Sequence, residues 1–192
     1  QKYANPHKIK IDYGVGIEVF HGHTTIGVPG TVKGLELLLK RHGTMPLKEV
    51  VQPAIEHART GIKLSNTLSY WLELSAKELH WYTRACKKIL STPSGDIPSP
   101  GTILKQKDLA NTLEIIGQYG SDVVYKGDIA DAIVQEMKNN GGLITFKDLS
   151  TYEAIIREPL CINYKGKQIW TNPPPSVGGA TLAHILNMIS HA

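Results

Sequence analysis

The chain has 192 residues, 41% of them hydrophobic and 20% charged, enough for one domain with a core or a sizeable piece of a larger one, and unlike a chain disordered by composition. No run reaches the roughly 18 consecutive apolar residues of a membrane span, so no membrane contact is predicted. The formal charge of +4 and the 7% of aromatics form no basic, base-stacking stripe, so nucleic acid is not an expected partner.

Residues 1–26 read as an irregular segment in which Pro6, Gly14, Gly16 and Gly22 punctuate short apolar pieces. It holds no apolar stretch of signal-peptide type, and Gln1 rather than Met stands first, which predicts a natural start upstream. Gly27-Val28-Pro29-Gly30-Thr31 then leads into a helix with Val32, Leu35, Leu38 and Leu39 on one face and Gly43 as its stop. Thr44 is expected to cap a second helix with Pro46 in its first turn, and Pro53 to split that helix before Gly61. Ser65 caps a third predicted helix running to about Leu90, with Leu68, Trp71, Leu72, Leu79 and Tyr82 as its stripe. The densest basic group, Arg84, Lys87 and Lys88, falls near its end, where cations complement the helix dipole.

The segment 91–102, STPSGDIPSPGT, reads as an exposed loop. Helices follow at about 107–118 and 128–139, the latter with Asp128 as cap and Gly141-Gly142 as stop, and Thr145 opens a short turn through Asp148. Residues 27–150 are therefore a helical region. Across 151–192 the periodicity changes. Leu160, Ile162 and Tyr164 alternate, Lys165-Gly166 turns the chain, and Ile169 and Thr171 alternate again, as in a β-hairpin. Pro173-Pro174-Pro175 ends the strand, and Gly178-Gly179 releases a final helix with Leu182, Ile185, Leu186 and Ile189 on one face. The fold class is α+β, mainly α-helical. A lone two-stranded hairpin is marginal, so this one is expected to border a sheet supplied by other polypeptide.

Candidate chemistry is sparse. Cys86 and Cys161 make neither a zinc site nor a disulfide framework, although one bridge stays open, and Cys161 reads as a small buried hydrophobe. Glu18, His21 and His23 offer a His-x-His pair, but with no second cluster they read as solvated loop residues. His184 and His191 lie two turns apart, roughly 10 Å, too far for shared ligation. Asp128, Asp131, Asp148 and Glu158 are spread over caps and turns without acid/base spacing. Free N–H groups at Ser176-Val177-Gly178-Gly179 suit a carboxylate, but the glycines read first as letting the helix start tightly against a sheet.

Four segments in order resemble the γ-glutamyltranspeptidase family: GVPGTVKGLE at 27–36, RHGTMPLKEVVQPAIEHARTGIKLS at 41–65, YKGDIADAIVQEMKNNGGLITFKDLSTYEAIIREPL at 125–160, and TNPPPSVGGATLAHILNMI at 171–189. The resemblance implies the helical part of a large subunit in an Ntn-hydrolase (αββα) fold, plus a β-hairpin and C-terminal helix. Its implied partners are a small subunit carrying an N-terminal Thr nucleophile and a γ-glutamyl small-molecule substrate such as glutathione. The family's Thr-Thr-His cleavage motif lies beyond the Pro-Pro-Pro-Ser segment, and its substrate-gripping Arg lies upstream of GVPG, where Gln1 to Gly22 contains no arginine. His23-Thr24-Thr25 stands in the wrong place for the nucleophile and lacks the following His, so it reads as a polar, β-like approach to a turn. No catalytic, substrate-binding or metal-ligating residue is therefore assigned, and no cofactor is expected. By analogy the parent is periplasmic, secreted or at the cell surface. The alternative is a catalytically inactive helical interaction module derived from that family.

Overall fold

The computed structural model describes residues 6–11 and 16–190, and divides them into two compact units, residues 1–153 and 154–192.

In the first unit the segment read as irregular contains a β-hairpin. Strands β1 (His7–Ile11) and β2 (Ile17–His21) pair antiparallel, with His7 opposite His21 and Ile11 opposite Ile17. Its alternation is short and its glycines resemble coil signals, so pairing rather than local pattern makes the strands. Gly14 lies outside the described residues. Residues His23–Thr25 form a single 3-10 turn rather than a β-like stretch, because the Thr25 N–H and Oγ1 both donate to the Gly22 carbonyl, at 3.0 and 2.8 Å.

Helix α1 (Thr31–His42) stops at Gly43 as its pattern requires. Helix α2 (Leu47–Thr60) differs from expectation twice. Thr44 does not cap it; Pro46 occupies the N-cap, and its carbonyl accepts from Glu49 N and Val50 N. Pro53 stays inside one continuous helix. A proline forfeits one backbone bond, and α2 lies alongside α5 (Lys107–Tyr119), fastened by the Arg59 guanidinium bonded to Glu114 at 2.8 Å and to Asn111. A two-residue ladder, β3 (Ile62–Lys63) with β4 (Ile103–Leu104), closes the ends of this pair.

The long third helix is three pieces. Ser65 caps α3 (Asn66–Ser75), as expected, by accepting from Leu68 N. A π-helical turn, Ala76–His80, follows, and Thr83 caps a fresh helix α4 (Arg84–Ile89) by accepting from Cys86 N. The apolar stripe runs across the break, so periodicity alone does not report it. Lys87 and Lys88 do occupy the last turn of α4, while Arg84 opens it. The 91–102 loop is pinned by Ser69 Oγ donating to the Pro98 carbonyl at 2.7 Å, and Pro98 is fully buried, so the loop is exposed only in part.

After α5 a short helix α6 (Asp122–Tyr125) intervenes, followed by α7 (Asp128–Asn139) and α8 (Phe146–Ser150). Gly127, not Asp128, is the N-cap of α7; Asp128 is its first residue, where a carboxylate still complements the dipole. At α8 Thr145 and Asp148 form a reciprocal capping box. The core gathers here, from Ile116, Val124, Tyr125, Ala130, Val134, Met137, Ile144 and Leu149.

The second unit holds β5 (Leu160–Tyr164), β6 (Lys167–Thr171) and α9 (Val177–Ser190). Lys165 and Gly166 take φ of 47° and 73°, the left-handed pair of a tight hairpin turn. Helix α9 begins at Val177, so both glycines lie in its first turn. A Cβ on Gly179 would strike the Asn172 carbonyl and Thr171 Oγ1, which is why this helix lies directly against the end of β6. Only Ile162 of the hairpin is buried; Cys161 is exposed, not buried, because it sits on the opposite face of the strand.

Candidate functional site

Three arrangements in the first unit position its surface. The first anchors the Gly27–Thr31 turn. Tyr125, 1% exposed, donates its hydroxyl to the Pro29 carbonyl at 2.6 Å and accepts from Lys33 N at 3.2 Å. Burial pushes this phenol's pKa up, so it remains a donor. Tyr152 stacks on Tyr125 with ring centroids 5.6 Å apart, and a Cβ on Gly30 would collide with the Tyr152 hydroxyl. Lys33 Nζ donates to Asp122 Oδ1 at 2.8 Å, a bond that raises the lysine and holds the carboxyl below its usual range.

The second links α1 to α6. Glu36 accepts from Ser121 Oγ at 2.5 Å and Ser121 N at 3.3 Å, and it pairs with Lys40. Burial by itself would raise this carboxyl; the Ser121 bonds and Lys40 outweigh it and hold it low.

The third fixes the segment following β2. His23 is buried, not solvated as its loop context predicts, with Nε2 3.1 Å from Glu136 Oε1 on α7. Tyr82 lies 4.7 Å from the His21 ring and 5.6 Å from that of His23. Glu18 is elsewhere, paired with Lys8. Glu18 thus stands apart from His21 and His23, and no group of three His, Cys, Asp or Glu among the described residues has metal-binding geometry. Asp128 and Asp131 are exposed in the first turn of α7, and Asp148 is held low by its Thr145 bonds. Both cysteines are free and exposed. No hydroxyl or thiol hydrogen-bonds to an imidazole among the described residues.

What α1 does offer is an open apolar groove. One side of the helix is tied down through Lys33 and Glu36. The other lines, with α2, a cavity of about 480 Å³ bounded by Leu35, Leu38, Leu39, Leu47, Val50 and Val51. Leu35 and Leu38 are each 57% exposed.

In the second unit Arg157 donates to the Pro174 carbonyl at 3.1 Å, and Trp170, Val177 and Met188 are exposed. Glu158 and His184 are also exposed; His191 lies outside the described residues. Neither Tyr125 nor the Glu36–Ser121 pair stands out in the sequence. The available signal is a carboxylate set among leucines, Leu35 before it and Leu37, Leu38 and Leu39 after it.

The mainly helical α+β arrangement is that of solved γ-glutamyltranspeptidases. The structure of the Helicobacter pylori gamma-glutamyltranspeptidase superposes with a TM-score of 0.86 at 30% identity, over 99% of this chain and 62% of that one. A glutathione hydrolase proenzyme of Escherichia coli is 41% identical over 169 residues, 88% of this chain and 29% of that protein. An acylase ACY 1 proenzyme of Pseudomonas (strain V22) is 38% identical over 168 residues, 88% and 30% respectively. The Gamma-glutamyltranspeptidase family pattern matches residues 11–192, and the chain belongs to that family. It spans less than a third of the length of these curated relatives.

Proposed function

We propose that these residues are the helical part of the large subunit of a self-processed γ-glutamyltransferase, an Ntn hydrolase. The whole enzyme transfers the γ-glutamyl group of glutathione or related compounds to water, amino acids or peptides. Its nucleophile is the N-terminal Thr of a small subunit outside residues 1–192. That residue's own α-amine, which titrates near neutrality, takes the hydroxyl proton. Residues 1–192 supply no catalytic, substrate-binding or metal-ligating group; they bury apolar surface against the rest of the enzyme and wall the substrate cleft.

The supporting observation is the α1–α2 groove: an apolar face left open on a helix whose other side is fastened suits a surface covered by further protein. Similarity to an acylase over the same segment favours substrate choice being made outside this scaffold. The purified 192-residue protein, incubated with a chromogenic γ-glutamyl amide, is expected to release no more chromophore than buffer. Co-expression with the remainder of its precursor is expected to restore turnover. Release by residues 1–192 alone would overturn the assignment, whereas a stable complex without turnover would make it an interaction module.

A further inference from the structure

Asn140 caps the C-terminus of α7 and is exposed. Its backbone N–H is shared between the Glu136 and Met137 carbonyls at 3.2 and 3.3 Å, and Gly142 N–H donates back to Met137 O at 2.7 Å. With Gly141 at φ 71°, this is a Schellman stop lacking its companion bond: the Gly141 N–H makes no hydrogen bond among the described residues. The space beside the Gly141 Cα is open as well. An unpaired, unhindered amide nitrogen thus directly follows an exposed carboxamide. Asn140 is the only asparagine in the sequence that precedes a glycine.

We propose that Asn140 is a site of spontaneous covalent modification, deamidation through the Gly141 nitrogen. Hydroxide takes the Gly141 amide proton, and the nitrogen attacks Asn140 Cγ. The new C–N bond closes a five-membered imide while the bond from Cγ to Nδ2 breaks, and the departing nitrogen, protonated by water, leaves as ammonia. Water then opens the ring at either carbonyl to give aspartate or isoaspartate. The net reaction consumes one water and needs no oxidant, metal or enzyme.

The fold gates this step. Asn140 Nδ2 donates to the Glu136 carbonyl at 2.9 Å, which holds the carboxamide back along the helix, so ring closure follows fraying of the last turn. The product loses that donor and places a negative charge at a helix C-terminus, where the macrodipole opposes it. It also stands four residues from Glu136, a repulsive spacing for like charges. Glu136 is the group that holds His23, so the modification loosens the end of α7 to which the N-terminal hairpin is tethered.

The test is peptide mapping by mass spectrometry of the 192-residue protein after incubation at mildly alkaline pH, with enzymatic methyl labelling to detect isoaspartate. Conversion is expected at Asn140, with neighbouring Asn139 unchanged, at a rate below that of the free peptide MKNNGGLI and rising in urea. Asn140→Gln is expected to stay unconverted, and Asn140→Asp to melt at a lower temperature than Asn140→Gln. Equal conversion at Asn139, or an intact Asn140 under conditions that convert the peptide, would overturn the proposal. An Asn140→Asp variant as stable as Asn140→Gln would overturn its consequence for α7.

Discussion

Around α7 the fold closes on itself, burying Ala130, Val134 and Met137 with Tyr125, Ile144 and Leu149, whereas α1 buries no residue fully and leaves Leu35 and Leu38 more than half exposed. Both helices carry an amphipathic stripe of ordinary quality. The difference lies in what covers the stripe, and it shows that the period of a helix reports a buried face without saying whose atoms bury it.

Mutations sharpen that contrast, and urea denaturation followed by circular dichroism measures all of them. Leu149→Ala, at a position with no exposure, is expected to cost about 2–5 kcal/mol through lost burial and the cavity left behind. Tyr125→Phe should cost about 1–3 kcal/mol, because the Pro29 carbonyl and Lys33 N–H lose a shared partner in a buried place. For Glu36→Gln the expected loss at neutral pH is about 1 kcal/mol, with a change in pH dependence as its signature. The folded-state carboxyl lies below its unfolded value, so its stabilisation is present above the unfolded pKa of about 4.3 and disappears as pH falls through the lower folded value. The variant should therefore lose stability less steeply across that acid window. An unchanged acid limb would mean that Ser121 does not hold the carboxylate in solution. Leu38→Ser should be smallest, within about 0.5 kcal/mol for residues 1–192 alone. The same change is expected to weaken association with the rest of the enzyme, measured by co-purification. A large loss in the isolated protein would show that the groove is already filled.

Much of the fold is legible where local chemistry and global packing agree. Lys165-Gly166 between alternating residues marks the β5–β6 hairpin, and Ser65 marks the start of α3. Local signals mislead where tertiary contacts decide. Pro53 looks like a breaker, yet α2 continues through it beside α5. The Leu79 and Tyr82 positions continue a helical stripe across a π turn and a new Thr83 cap, because the apolar face outlasts the regular hydrogen bonding. β1 and β2 have too little alternation to stand out before they find each other. The anchoring groups are the least legible. Tyr125 acts on Pro29 across 96 positions, and Ser121 on Glu36 across 85, separations that no local period reports. His23 reads as solvated for the same reason, since its partner Glu136 lies 113 positions away.

Where α9 meets β6, the bare Gly179 rests on the Asn172 peptide carbonyl with no side chain between them. Two main chains in direct apposition have no cushion to compress, so a tug on the strand reaches the helix undiminished. Hairpin and helix therefore travel together as one stiff part, and even a single methyl group at that seam would act as a wedge.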